Sequence, residues 1–165
     1  MSALDFPDRH HALAAEGWFE LGRPEEAVSE LDLLSPAGRS DPGVLELHWR
    51  ILAQRREWSE ALEIAHRMTE AAPERAEGWI HRSFTLHELR RTDEAWSMLL
   101  PMAPRFPEES IIPYNLACYA CQMGNLELAQ DWLQRAAKLR PKNEIKAMAL
   151  SDPDLAPLRS YVEDL

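Results

Sequence analysis

The sequence predicts an all-α fold built from antiparallel helix hairpins, and three observations carry this prediction. Apolar and small residues recur at intervals of three and four, as in Trp79, Ser83 and Leu86, which is the spacing of one helix face. Alanines lie 34 residues apart, at Ala27, Ala61, Ala95 and Ala129. Prolines follow with the same period, at Pro73, Pro107 and Pro141. Independent columns that agree on one period indicate a repeated helical unit.

The composition is that of a folded protein with an acidic surface. The chain has 165 residues, of which 45% are hydrophobic, and a formal net charge of -10. Such a balance argues against a nucleic-acid partner, because phosphates require basic patches, and equally against an anionic membrane surface. The first residues contain no basic start and no apolar run, so we expect a cytoplasmic protein without a signal peptide.

The period defines four repeats, at residues 8–41, 42–75, 76–109 and 110–143. Each contains two helical segments with a short break between them. In the first and fourth breaks, Gly22 and Gly124 suit the left-handed end of a helix. Pro24 and Asn125 then suit the start of the next helix, and in the third repeat Thr92 is the predicted N-cap.

Two departures from a plain repeat are predicted near the C-terminal end. Pro101 and Pro104 fall in the second helix of the third repeat, so we expect that helix to end or kink near Leu100. Asp152 before Pro153 predicts a helix start, followed by an apolar face of Leu155, Leu158 and Val162. Residues 144–165 are therefore predicted to form capping helices that cover the last repeat, within a single domain of residues 1–165.

The fourth repeat carries a family resemblance most fully, through Leu116, Ala117, Gly124, Ala129, Leu133, Ala136 and Pro141. These residues resemble the tetratricopeptide repeat family, with Trp49 standing where a small residue is usual. The resemblance implies a right-handed superhelix, or α-solenoid. It also implies that the first helix of each repeat lines a concave groove, which binds a peptide or a segment of a partner protein.

Ten groove residues are predicted from the family's lining positions: Arg50, Ile80, His81, Phe84, His87, Glu88, Ile111, Tyr114, Asn115 and Cys118. Ile80, Phe84, Ile111 and Tyr114 would form an apolar strip with aromatic anchors, the residue types enriched at binding hot spots. The alternative is that Phe84 and Tyr114 only pack between neighbouring helices.

Cys118 and Cys121 lie one helical step apart, which also suggests a zinc or redox site together with His81 or His87. A reduced, buried pair is the favoured interpretation. The sequence contains no glycine-rich phosphate loop and no nucleophile elbow. We therefore expect no catalytic residue, no metal, no cofactor and no enzymatic activity.

The resulting hypothesis is a non-enzymatic adaptor that holds a partner segment in its groove. The alternative is a small acidic tetratricopeptide chaperone for a secreted or unfolded client, of the kind found in bacterial secretion systems. The sequence leaves open the partner, the oligomeric state and whether the C-terminal tail fills the groove.

Overall fold

Helix hairpins make up the structure, a computed structural model that describes residues 4–165. The α-helices are α1 (Asp8–Glu20), α2 (Pro24–Leu31), α3 (Pro42–Gln54), α4 (Trp58–Ala71), α5 (Ala76–Glu88), α6 (Thr92–Leu99), α7 (Ile111–Gln122), α8 (Leu126–Leu139), α9 (Lys142–Ser151) and α10 (Arg159–Glu163). Short 3-10 helices lie at Gly38–Ser40, Leu100–Met102 and Pro153–Leu158. No strand occurs between residues 4 and 165, so the predicted all-α fold is confirmed.

The chain divides into two compact units at Thr85, within α5. The N-terminal unit ends at Thr85, and the C-terminal unit comprises Leu86–Leu165. The predicted single domain of residues 1–165 stays a prediction.

The N-terminal unit has two neighbouring core clusters. The first joins α1, α2 and α3 through Ala12, Ala15, Ala27, Leu31, Leu34, Val44, Leu47 and Ile51. The second joins α3 and α4 through Leu45, Trp49, Leu52, Ala61, Ile64, Ala65 and Met68. The faces of α3 alternate between these clusters, which explains why so much of this helix is apolar.

All four alanines of the 34-residue column are fully buried. In the C-terminal unit, Ala95 lies on α6 and Ala129 on α8, and neither side chain is accessible to solvent. A larger side chain at either position would have to displace its neighbours. The column is therefore a packing feature of the second helices.

The turn between the two helices of each repeat has a backbone that repeats as strictly as the alanines. Gly22, Arg56, Arg90 and Gly124, each 34 residues from the next, have φ values of 71°, 58°, 63° and 82°. The following residue then donates its N–H to a carbonyl five residues earlier, as from Arg91 to Leu86 and from Asn125 to Ala120, both at 2.9 Å. This bond is the mark of a Schellman helix end. The predicted left-handed glycines are confirmed, and two arginines adopt the same conformation.

Arg90→Gly is expected to stabilise the protein by up to about 1 kcal/mol. An L-residue in the left-handed region costs roughly 1–2 kcal/mol, and the greater unfolded-state entropy of glycine offsets part of that gain. Urea denaturation measures the change. Arg90→Ala is the control, because it removes the guanidinium but keeps the Cβ. A glycine variant that is less stable than the alanine variant would contradict the expectation.

Proline placement explains how the third repeat ends. α6 stops at Leu99, and Leu100–Met102 form a 3-10 helix with Pro101 in its first turn. The expected end near Leu100 is confirmed, since Pro101 has no N–H to continue the α-helical ladder. The prediction that Thr92 caps α6 is wrong. Arg91 is the N-cap, and the Thr92 hydroxyl lies 2.9 Å from His87 Nδ1 instead.

The C-terminal end of the chain packs against the two helices of the fourth repeat. Asp152 accepts the Asp154 N–H at 2.9 Å and so caps the 3-10 helix Pro153–Leu158. The predicted apolar face of Leu155, Leu158 and Val162 is buried. Residues 152–158, here called the C-terminal segment, pack against α7.

Candidate partner-binding face

The predicted groove residues are divided between the two units. Arg50, Ile80, His81 and Phe84 belong to the N-terminal unit. The other six, His87, Glu88, Ile111, Tyr114, Asn115 and Cys118, belong to the C-terminal unit.

In the N-terminal unit, Arg50 is exposed and linked to the first repeat. Its guanidinium carbon lies 4.9 Å from the centre of the Phe19 ring, so that α3 and α1 present a cation next to an aromatic ring. Nearby acids are paired, because Arg75 Nη2 lies 3.7 Å from Glu46 Oε2 and 3.2 Å from Glu77 Oε1. Arg50 has no such ion pair among the residues that the structure describes.

His81 belongs to an aromatic cluster around Trp49. The Trp49 and His81 rings stack with centroids 3.7 Å apart and planes inclined by 12°. Trp49 Nε1 donates to the Thr85 hydroxyl at 2.9 Å, and that hydroxyl donates to the His81 carbonyl at 2.7 Å. The tryptophan at an unusual position is thus held both by stacking and by a hydrogen bond.

Phe84 completes the same cluster. Its ring meets Trp49 edge-on at 6.3 Å and Trp58 edge-on at 5.8 Å. The side chain is half-buried against the second core cluster, and Ile80 is half-buried as well. These contacts support the packing alternative for Phe84, and they leave Arg50 as the exposed member of the predicted set in this unit.

Burial lowers the pKa of His81 from 6.5 to about 4, with a further lowering by Arg50 and an opposing effect of Glu77. Its Nε2 is buried and has no hydrogen-bond partner among the described residues. The imidazole is therefore neutral at neutral pH, and burial makes its charged form unfavourable in the folded protein.

We expect acidification from about pH 7 to about pH 4 to cost up to about 3 kcal/mol through His81 alone. The unfolded chain takes up a proton near pH 6.5 that the folded site accepts only near pH 4, so stability present above pH 6.5 is lost as the pH falls. Thermal melting across this range measures the loss. His81→Gln should flatten the profile. The contributions that remain come from His48, whose pKa burial also lowers, and from carboxyls such as Glu94, whose pKa is lowered by its hydrogen bonds to Arg91. An unchanged slope would contradict this account.

In the C-terminal unit, the C-terminal segment covers the predicted face of α7. The Tyr114 hydroxyl donates to Asp152 Oδ2 at 2.9 Å, and the Cys118 thiol lies 3.5 Å from the same oxygen. One turn further along, Gln122 Nε2 donates to the Asp154 carbonyl at 2.9 Å. Three groups spaced by four residues on one helix thus hold a stretch of three residues, Asp152 to Asp154.

His87 holds the same segment from α5. Its Nε2 lies 2.9 Å from Asp154 Oδ2, and its ring centre is 5.0 Å from that of Tyr119. His87, Tyr114 and Cys118 are all less than a tenth exposed. Three of the six predicted residues in this unit therefore contact the protein's own C-terminal segment, whereas Glu88, Ile111 and Asn115 are half-buried.

The two cysteines are unsuited to thiolate chemistry in this arrangement. Both are free and buried. Burial raises the pKa of the Cys118 thiol well above its usual value, and Asp152 and Asp154 raise it further; burial also raises that of Cys121. Between residues 4 and 165, no group of three or more His, Cys, Asp or Glu side chains is arranged to hold a metal ion. The thiols remain protonated and act as small apolar groups.

Two contacts of the candidate face are not predictable from the sequence. The stretch "SDPDL" predicts a helix start, but nothing in its spacing shows that Asp152 and Asp154 face α7. Phe19 occupies a lining position, but its contact with Arg50 depends on how α1 packs on α3. The sequence does show one sign of a local change in packing, which is Trp49 at a repeat position where a small residue is usual.

Known proteins resemble this chain in their solved structures. No family model matches the sequence, and no curated protein matches it. A thermophilic tetratricopeptide protein from Thermus thermophilus is 18% identical, with a TM-score of 0.71, and the match covers 93% of this chain and 82% of that one. This chain has a tetratricopeptide repeat fold.

Two further solved structures resemble this chain. MamA from Desulfovibrio magneticus RS-1 is 18% identical with a TM-score of 0.75, covering 99% of this chain and 97% of that one. PilF from Pseudomonas aeruginosa is 19% identical with a TM-score of 0.72, covering 94% of this chain and 69% of that one. At such identities the likeness establishes the fold alone. No helix within residues 4–165 has the length and apolar character to cross a membrane.

Proposed function

We propose that this protein is a non-enzymatic interaction module that binds a segment of a partner protein on the faces of its first helices. The observation that carries the proposal is the C-terminal segment on α7. On α7, three side chains contact a short stretch of peptide through its side chains and backbone: Tyr114, Cys118 and Gln122. A helix that lines a peptide-binding groove is expected to make contacts of this kind.

The surface proposed for the partner lies on the N-terminal unit, around Arg50. In the C-terminal unit, the equivalent face is occupied by the chain itself. On α3 the guanidinium of Arg50 is exposed above the Phe19 ring of α1, which supplies apolar area beside the charge. A partner segment with a carboxylate for Arg50 and an apolar side chain beside it fits this combination, since arginine and aromatic residues contribute most binding energy at interfaces.

The non-enzymatic part of the proposal is supported by the state of the titratable groups. His81 is neutral and stacked, and the Cys118 thiol stays protonated beside Asp152. Neither is poised as a nucleophile or a general base at neutral pH. A cytoplasmic location and the absence of a nucleic-acid or membrane partner stay predictions.

Arg50→Glu tests the proposed surface. We expect the variant to lose at least about 90% of the partner that the wild-type protein recovers by affinity purification, because reversal of a contacting charge removes an attraction and adds a repulsion. Quantitative mass spectrometry of the recovered proteins measures the loss. Substitution of Phe84 or Tyr114 would confound the test, since both side chains pack internally.

Lys142→Glu is the matched control, because Lys142 is an exposed cation on α9 outside the predicted face. Equal thermal stability of the two variants excludes unfolding as the cause. If Arg50→Glu retains every partner that the control retains, the proposed surface is wrong.

A further inference from the structure

A second surface lies on the C-terminal unit, away from the predicted face of α7. It is a cleft of about 560 Å³ between the link that follows α6 and one side of α8. The link contributes Leu100, Phe106 and Pro107, and α8 contributes Trp132 and Leu139. Its volume is within the range of clefts that hold ligands, and nothing in the repeat pattern requires it.

The floor of the cleft is apolar and organised around tryptophan. Trp132 is buried at its base and meets Trp96 edge-on at 6.3 Å. Leu100 and Leu139 are each more than a third exposed at its edges. Exposed aliphatic side chains around a tryptophan are typical of surfaces that bury another apolar group.

The charges around the cleft are unusual for this protein. Arg135 and Lys138 line it from α8, with the Arg135 guanidinium carbon 4.2 Å from the centre of the Trp132 ring. Among the residues that the structure describes, neither cation has a carboxylate within ion-pair distance. The one acid that lines the cleft, Glu109, accepts the N–H of Ile111 at the start of α7. A chain with a net charge of -10 thus leaves two cations unpaired beside its apolar cleft.

We propose that this cleft binds an acidic amphipathic segment of another protein, with an apolar side chain seated against Trp132 and carboxylates paired to Arg135 and Lys138. The two cations lie three residues apart on one side of α8, a spacing that acids on successive turns of a ligand helix can match. The stretch from Trp132 to Leu139 is roughly 10 Å long, which suits about two turns of such a helix.

Charge complementarity selects this occupant over others. A basic segment would be repelled by both cations, and an uncharged one would leave them unpaired next to a newly buried apolar surface. This inference is independent of the proposed function, because α8, the link after α6 and Pro113 of α7 line the cleft, and none of the ten predicted groove residues does.

Peptide binding to the full-length protein tests the inference. Three fluorescently labelled peptides of about 14 residues are compared by anisotropy at low salt: one of Leu and Glu in an amphipathic pattern, one with Lys replacing each Glu, and one with Ala replacing each Leu. We expect only the Leu–Glu peptide to bind, with an affinity that falls as salt is added. Binding of the Leu–Lys peptide with equal affinity, or no binding of any peptide, would overturn the proposal.

Two variants locate the site. Arg135→Glu combined with Lys138→Glu should weaken binding of the Leu–Glu peptide by at least about tenfold. Lys142→Glu, at the start of α9 and outside the cleft, should change the affinity less than about twofold. Leu139→Asp should weaken binding as well, through loss of the apolar edge. Melting curves show that each variant is folded, and equal effects of Lys142→Glu and the double substitution would overturn the assignment.

Other occupants give different results. If a second copy covers the cleft, the protein dimerises with increasing concentration in light scattering and Leu139→Asp abolishes the dimer. If a membrane covers it, vesicles of phosphatidylcholine and phosphatidylserine bind the wild-type protein but the Leu–Glu peptide does not compete. Either result would overturn the proposal of a protein segment.

Discussion

Trp49→Ala is expected to lower the free energy of unfolding by about 3–5 kcal/mol, even though alanine is the residue type usual at this position of the repeat. The indole is 8% exposed and packs on His81 and Phe84. Its removal leaves a cavity that the neighbouring rings cannot fill without leaving their own contacts. The variant therefore loses the free energy of burying the indole and also bears the free-energy cost of the cavity. Equilibrium denaturation monitored by circular dichroism measures the loss.

Two comparisons make the Trp49 result specific. Trp18→Ala removes a tryptophan that is 36% exposed on α1, and we expect it to cost much less than Trp49→Ala. Trp49→Phe keeps a ring for stacking but loses the hydrogen bond to Thr85, and it should lie between the two. A Trp49→Ala variant as stable as the wild type would show that the cluster adds nothing beyond the ordinary repeat packing.

Leu155→Ala is expected to cost about 2–5 kcal/mol and to release the C-terminal segment from α7. Leu155 is 1% exposed and lies directly after Asp154, so it fixes the segment where the hydrogen bonds to Gln122 and His87 are made. Hydrogen exchange should show faster exchange at residues 152–158 and on α7 before the chain unfolds globally. Loss of stability without faster local exchange would mean that the segment and α7 open only in global unfolding.

The polar side of this contact is tested by Asp152→Ala. The variant leaves the buried Tyr114 hydroxyl without a hydrogen-bond acceptor, which should cost about 1–3 kcal/mol of stability. Tyr114→Phe removes the hydroxyl itself, so that no buried donor is left without an acceptor, and it should cost less.

Leu150→Ala is the matched control for Leu155→Ala, because Leu150 is 36% exposed on α9. These variants also test whether the face of α7 binds a partner when the C-terminal segment no longer covers it.

Much of the fold follows from local rules that a sequence displays directly. The 34-residue period, the end of α6 before Pro101 and the left-handed Gly22 and Gly124 depend on backbone geometry and on residues close together in the chain. The left-handed Arg56 and Arg90 follow from the same period, although arginine has no preference for that conformation. At these two positions the repeat determines the left-handed backbone conformation, and the residue type affects only the free-energy cost of adopting it.

The exposure of the predicted face does not follow from the sequence, because some of its residues pack inside the protein. Phe84 and Tyr114 occupy lining positions, yet one packs between two tryptophans and the other bonds to Asp152. A lining position specifies the direction of a side chain from its helix, whereas its exposure depends on what other parts of the chain lie over it. The covering residues of α7 come from outside the repeats, where no period applies.

By itself, the sequence determined the helix hairpins, their period and the apolar face of the C-terminal cap, because hydrophobic spacing and turn chemistry act over a few residues. Only the tertiary structure decided that the C-terminal segment occupies the face of α7. It alone also showed that Trp49 stacks on His81 and that Trp132, Arg135 and Lys138 share a cleft with Leu100 and Phe106. Such contacts join residues far apart in the chain, 38 positions for Tyr114 and Asp152, and their geometry depends on how whole helices pack.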